Sequence, residues 1–172
     1  MYFPLLLSFL TLSETREIKI FNNCEFTTWA AIQGPGNPMN GGFQLDPMET
    51  QSLFVDDDWT GLIWPRTGCN RRMKCATGSC GHHEHCNGAF GEPPFTLAQI
   101  SLSSGDAEND GVDFYNVTLE NGYNVPVLID AYQGDGTQMF KDTCPDMYSD
   151  KYDDDESLTR SCSEATYVVQ FC

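Results

Sequence analysis

Positive charge is what this chain has least of. Nine Lys and Arg stand against 25 Asp and Glu, leaving a formal charge of −16 over 172 residues. Nucleic acid and anionic membranes draw in proteins through a basic surface, so the chain is expected to bind neither. Long apolar runs are also missing, and no segment approaches the roughly 20 apolar residues that a membrane-crossing helix needs. Helical periodicity is absent over more than two turns, which argues against a helical fold. There is no G-x-S-x-G motif and no Ser-His-Asp or Cys-His arrangement. No catalytic residue is assigned, and no cofactor is expected.

What is present is a series of short alternating segments separated by Gly, Pro, Asn and Asp. Glu17 to Phe21, Phe26 to Ile32, Phe43 to Leu45, Gln51 to Val55 and Leu62 to Trp64 read as strands. So do Thr96 to Leu102, Asp113 to Leu119, Val125 to Ile129 and Thr166 to Phe171. Strands spaced by such turns indicate an all-β sandwich, and the length suits one domain. The chain opens with an apolar run from Phe3 to Leu12, too short to span a bilayer, with Thr11 and Ser13 suited to the −3 and −1 cleavage positions. Residues 1–13 are expected to be a signal peptide, and 14–172 the β-sandwich domain of a secreted, extracellular, monomeric protein.

Eight cysteines, an even number, suit an oxidising compartment. Four fall between Trp64 and Cys86, where Cys69 and Cys75 lie six apart, as do Cys80 and Cys86. Two neighbouring disulfide rings are favoured over a zinc site, because structural zinc asks for C-x2-4-C and each gap here is five residues. The second ring holds Gly81-His82-His83-Glu84-His85, so His82, His83 and His85 are weak candidates for a metal. A solvated loop tip is the favoured reading. Asp106 to Gly111 begins like a calcium loop, but Val117 stands where the twelfth-position Glu belongs. Asp153-Asp154-Asp155-Glu156 reads as a solvated acidic face. Asn116-Val117-Thr118 is an N-glycosylation sequon.

The same stretch carries a family signature. R-T-G-C, then C-x-T-G-x-C, then C-N-G followed by P-P-x-T-L-A, resembles the thaumatin-like proteins of pathogenesis-related group 5. The likeness continues in I-F-N-N-C-x-F-T-T-W-A-A, in D-F-Y-N-V-T-L-E-N-G-Y-N-V-P-V, in C-P-D-M-Y-S and in the closing Y-V-V-Q-F-C. It implies a flattened β-sandwich of about ten strands. It also implies a departure after Ile129, where full-length members insert a cysteine-rich second domain and this chain crosses from Asp130 to Cys144. The resemblance pairs Cys24 with Cys172, Cys69 with Cys75 and Cys80 with Cys86. It leaves Cys144 and Cys162 to each other, their usual partners lying in the missing segment.

The family lines a groove beside the sandwich with one Arg, one Glu and three Asp, tied to antifungal action and, in some members, to weak β-1,3-glucan hydrolysis. Transferred position by position, the Arg falls on Leu62, the Glu on Gln99 and two Asp on Asn116 and Asn121. The last Asp falls on Asp153 or Asp154. Amides keep the shape of the acids but lose their proton chemistry, and a glycosidase needs two carboxyl groups. They still donate and accept hydrogen bonds, which suits holding a sugar. Tyr115, Tyr123 and Phe90 are expected to offer ring faces for stacking.

The expectation is thus a defence-type protein that binds cell-wall polysaccharide of the β-glucan class, or a microbial surface, without catalysis. Two alternatives stand beside it. One is a weak endo-β-1,3-glucanase working through Asp153 or Asp154. The other is a disulfide-rich structural or signalling module with a vestigial groove.

Overall fold

Two β-sheets packed face to face form the framework of the computed structural model, which describes residues 15–104, 111–133, 138–139, 160–163 and 165–172. The first sheet runs in the order β4 (Thr50–Asp56), β1 (Thr15–Asn22), β11 (Thr166–Phe171), β8 (Val127–Gln133) and β9 (Gln138–Met139). The second runs β10 (Arg160–Ser163), β7 (Val112–Thr118), β6 (Leu97–Ser101), β5 (Thr60–Thr67), β2 (Thr28–Gln33) and β3 (Gly42–Leu45). Among the described residues, eleven strands build the all-β sandwich. The signal-peptide segment 1–13, the Asp106 to Asp110 stretch, Cys144, and the acidic run with Asp153 and Asp154 lie outside the described residues.

Alternation decides which side chains meet between the sheets. Ile18 and Ile20 of β1, Leu53 and Val55 of β4, and Tyr167, Val169 and Phe171 of β11 face Ile32, Ile63, Ala98, Ile100 and Tyr115 from the other sheet. All are buried, and together they form the main core. Neighbouring positions on these strands point outward, which is why the period-two pattern was legible from the residues alone.

One polar cluster crosses this core. Asp113 of β7 is fully buried, and its Oδ2 lies 2.7 Å from Arg16 Nη2 of β1. Tyr167 of β11 donates its hydroxyl to the same oxygen at 2.7 Å, and the Ser103 amide donates to Oδ1 at 2.9 Å. Arg16 also reaches the Ala165 carbonyl at 2.7 Å. A buried carboxylate is tolerated only when its lone pairs are satisfied, and here donors from β1, β11 and the segment after β6 converge on it. Desolvation, with the bond to Asp113, pushes the Tyr167 hydroxyl well above the ordinary tyrosine pKa, so it stays a donor.

The strand expected over Val125 to Ile129 begins later and runs further. Before it, Thr96 Oγ1 donates to the Val125 carbonyl and the Cys172 amide to the Pro126 carbonyl. The first bond takes up the Val125 carbonyl with a side chain, and the second extends the pairing with β11 by one bond. Beyond Ile129 the strand stays paired with β11 as far as Tyr132 opposite Thr166, and it returns as a hairpin with Gln133 opposite Gln138.

Disulfides join Cys24 to Cys172, Cys69 to Cys75, and Cys80 to Cys86. Cys162 is also disulfide-bonded, while its expected partner Cys144 lies outside the described residues. The first bridge ties the ends of β1 and β11, which run parallel side by side. Asn22 organises the turn that follows β1. Its side chain is buried, donates to the carbonyls of Phe26 and Leu45, and accepts the Cys24 amide.

Candidate functional site

The outer face of the six-stranded sheet is divided in two. Residues 68–95, carrying both small disulfide rings, fold over one half and bury Trp64, Phe95, Leu97, Ala31 and Cys86 as a second core. Trp64 donates its indole N–H to the Gly78 carbonyl at 2.9 Å. Gly91 lies against the same ring, where an added Cβ would come within 2.6 Å of the indole nitrogen. Arg66, on the Trp64 side of β5, is fully buried beneath the second ring. Its guanidinium donates to the carbonyls of His83, Glu84 and Ala30. Burial lowers its pKa to about 10, with Glu84 pulling the other way, so it remains a cation at neutral pH.

The other half of the face is open. Register places Leu62 of β5 directly opposite Gln99 of β6, and Gln99 directly opposite Asn116 of β7. Directly opposed residues share a face, so the three side chains form one row across three strands. The next row holds Thr60, Ser101 and Phe114, and the Thr60 and Ser101 hydroxyls are 2.8 Å apart. Both rows line a shallow depression of about 260 Å³. Gln33, opposite Leu62 on β2, bonds the Gly88 carbonyl at 2.8 Å and joins the row to the edge of the roof.

The lining residues are uncharged. Among the described residues no hydrogen bond engages the side-chain amide of Gln99 or Asn116, so both are free to meet a ligand. Each presents an acceptor oxygen and two N–H donors, and the Phe114 ring stands 47% exposed beside them. Polar forks around an apolar plate match a pyranose, which has hydroxyls on its rim and C–H groups on its faces.

Tyr115 borders the depression, but contrary to expectation it offers no ring face there. Its ring is 3% exposed, packs edge-on at 5.3 Å against Tyr167 in the main core, and sets its hydroxyl 3.7 Å from Cys162 Sγ. The reason is strand parity: if Asn116 faces out, Tyr115 must face in and Phe114 out again. That signal was available in the sequence and identifies Phe114, Ser101 and Thr60 as the missed residues.

The remaining described candidates sit elsewhere. Asn121 lies in the turn after β7, where its carbonyl accepts the Phe95 amide, and it does not line the depression. Tyr123 is exposed in the segment leading to β8. Phe90 packs on the roof, 5.5 Å from Trp64 and 5.4 Å from Phe95. His85 Nδ1 bonds the Gly42 carbonyl at 2.7 Å. The described residues include no group of three His, Cys, Asp or Glu able to hold a metal, so His82, His83 and His85 do not converge.

Comparison with known proteins points one way. The family model described as "Thaumatin family" matches residues 22–135. "Thaumatin-like protein 1" of Arabidopsis thaliana is 31% identical, covering 93% of this chain and 87% of its own. That alignment runs to 227 positions, more than the 172 residues here, so it carries gaps in this chain. "Thaumatin-like protein PWIR2" of Triticum aestivum is 33% identical over 175 positions, covering 99% of this chain and 95% of its own. Among solved structures, a thaumatin-like xylanase inhibitor superposes with a TM-score of 0.64 at 28% identity, over 90% of this chain and 98% of that one. With the sandwich, the disulfides and the roofed sheet in place, the chain belongs to the thaumatin family, as one of its short members.

Proposed function

We propose that this is a secreted defence-type protein, its leader in residues 1–13, that binds a neutral β-glucan of the cell wall on the open half of the six-stranded sheet without cleaving it. The observation that carries this is the row Leu62–Gln99–Asn116, which puts an apolar side chain and two unengaged amides in one line beside an exposed phenylalanine. Glycoside cleavage needs one carboxyl group to protonate the leaving oxygen and a second to attack or to activate water. The described lining residues supply neither. Asn116 is also the sequon asparagine, and a glycan on it would stand in the depression, so deglycosylated protein is the proper material.

The test is retention on insoluble β-1,3-glucan followed by a reducing-sugar assay. Retention without sugar release supports the proposal; release of sugar or absence of retention overturns it. A second reading comes from the solved relative named as a xylanase inhibitor, at TM-score 0.64. On that reading the partner is a glycoside hydrolase. Loss of xylanase activity on adding this protein, together with no retention on glucan, would favour it.

A further inference from the structure

The described cations are unevenly placed. Arg16 is paired with Asp113, Lys19 lies 3.8 Å from Glu17, and Arg66 is buried. Arg71, Arg72 and Lys74 are exposed, and no described residue forms an ion pair or hydrogen bond with their charged side-chain groups. All three sit within the ring closed by Cys69 and Cys75.

The ring is held firmly. Asn70 Oδ1 accepts the amides of Arg72 and Lys74 at 2.9 and 3.2 Å, the Asn70 amide donates to the Lys74 carbonyl, and the Met73 amide to the Asn70 carbonyl. At its base Thr67 and Thr77 share a hydroxyl contact of 2.7 Å, and the Asn124 amide braces Thr77 at 2.9 Å. Little backbone freedom is left to lose on binding. The ring extends from the end of β5, roughly 17 Å along the strand from Leu62, so it is separate from the depression.

We propose that this ring is a docking site for a polyuronate, a polysaccharide chain bearing a carboxylate on each sugar. Arginine forks pair with carboxylates in two parallel hydrogen bonds, and a third cation extends the track. The charge of the rest of the molecule selects the shape of the partner. A bilayer or nucleic-acid duplex would set a broad negative surface against a molecule whose net charge is −16 with the ring's own cations counted. A single thin chain meets the ring alone, while repulsion from more distant acids is screened over a Debye length of about 8 Å.

The experiment is biolayer interferometry on immobilised polygalacturonate, on its fully methyl-esterified form and on phosphatidylserine vesicles. The unaltered protein is expected to bind the acid polymer, to ignore the ester and the vesicles, and to be released near 1 M salt, where screening shortens to about 3 Å. The triple variant Arg71→Ser, Arg72→Ser, Lys74→Ser is expected to lose roughly tenfold or more on the acid polymer, with its melting temperature and its β-glucan behaviour unchanged. Failure to bind, equal binding to the ester or vesicles, insensitivity to salt, or an undiminished triple variant each overturns the proposal. The polymer, vesicle and salt comparisons use the unaltered chain and stand even if the variant misfolds.

Discussion

Gln99 and Asn116 stand directly opposite each other on adjacent antiparallel strands, side chains on the same open face. Cross-strand Cβ atoms in this arrangement are about 4.5–5.5 Å apart. Two carboxylates there would sit close enough to push one pKa up and divide the roles of acid and base. Two amides cannot. The unaltered protein is therefore expected to release no reducing sugar from laminarin, and Gln99→Glu or Asn116→Asp alone to change nothing. The double substitution is expected to bring turnover above background, because the acid and the base act as a unit. Turnover by the unaltered protein would defeat this account.

Phe114 and Tyr115 are neighbours with opposite fates. Phe114→Ala is expected to weaken β-glucan retention roughly 3- to 10-fold, the worth of one aromatic contact, and to leave the melting temperature nearly unchanged. Tyr115→Ala empties a core position and is expected to cost about 3–5 kcal/mol in urea unfolding. Equal binding losses from folded forms of both variants would mean that the depression is not the site.

Asp113→Ala leaves Arg16 and Tyr167 without their shared acceptor. Removing one partner of a buried pair costs about 3–5 kcal/mol. Chemical denaturation should show this as a lowered midpoint, and a loss below about 1 kcal/mol would contradict the burial described for this carboxylate.

Alkaline stability follows from Tyr167. Unfolded, it ionises near its ordinary pKa of about 10; folded, it holds its proton above that. The native state then binds the extra proton, so stability falls as pH rises past about 10, by up to about 1.4 kcal/mol per pH unit. Arg66 works in the opposite direction, since its folded pKa is lowered to about 10 and the unfolded chain keeps the proton longer. Comparing the native protein with Tyr167→Phe between pH 9 and about 11 isolates the tyrosine. The variant's stability is expected to fall less steeply, and parallel curves would refute the assignment.

The disulfides differ in consequence because their loops differ. Cys24 and Cys172 are 148 residues apart, whereas each small ring spans 6. In the chain-entropy picture the long closure contributes about 5 kcal/mol and each ring about 2.4 kcal/mol. Replacing Cys24 and Cys172 with Ser should lower the thermal midpoint more than replacing Cys69 and Cys75, as calorimetry can show. Peptide mapping under non-reducing conditions should also recover Cys144 joined to Cys162.

The sequence alone was enough for whatever depends on neighbours along the chain. Alternation marked most of the strands between Glu17 and Phe171, though not β9 or β10, because a side chain's face on a strand is set by the parity of its position. Charge and spacing excluded nucleic acid and favoured disulfide rings over zinc. Parity, applied strictly, would also have separated Phe114 from Tyr115. Tertiary structure alone decided what depends on distant residues. Arg16 and Asp113 are 97 positions apart, and Arg66 finds its acceptors 17, 18 and 36 positions away. No local pattern announces such partners, since burial of a charge is settled only when the sheets close over it. The same holds for the roof over Trp64. It covers half of one sheet face and leaves Leu62, Gln99 and Asn116 open, a division set by where residues 68–95 come to rest.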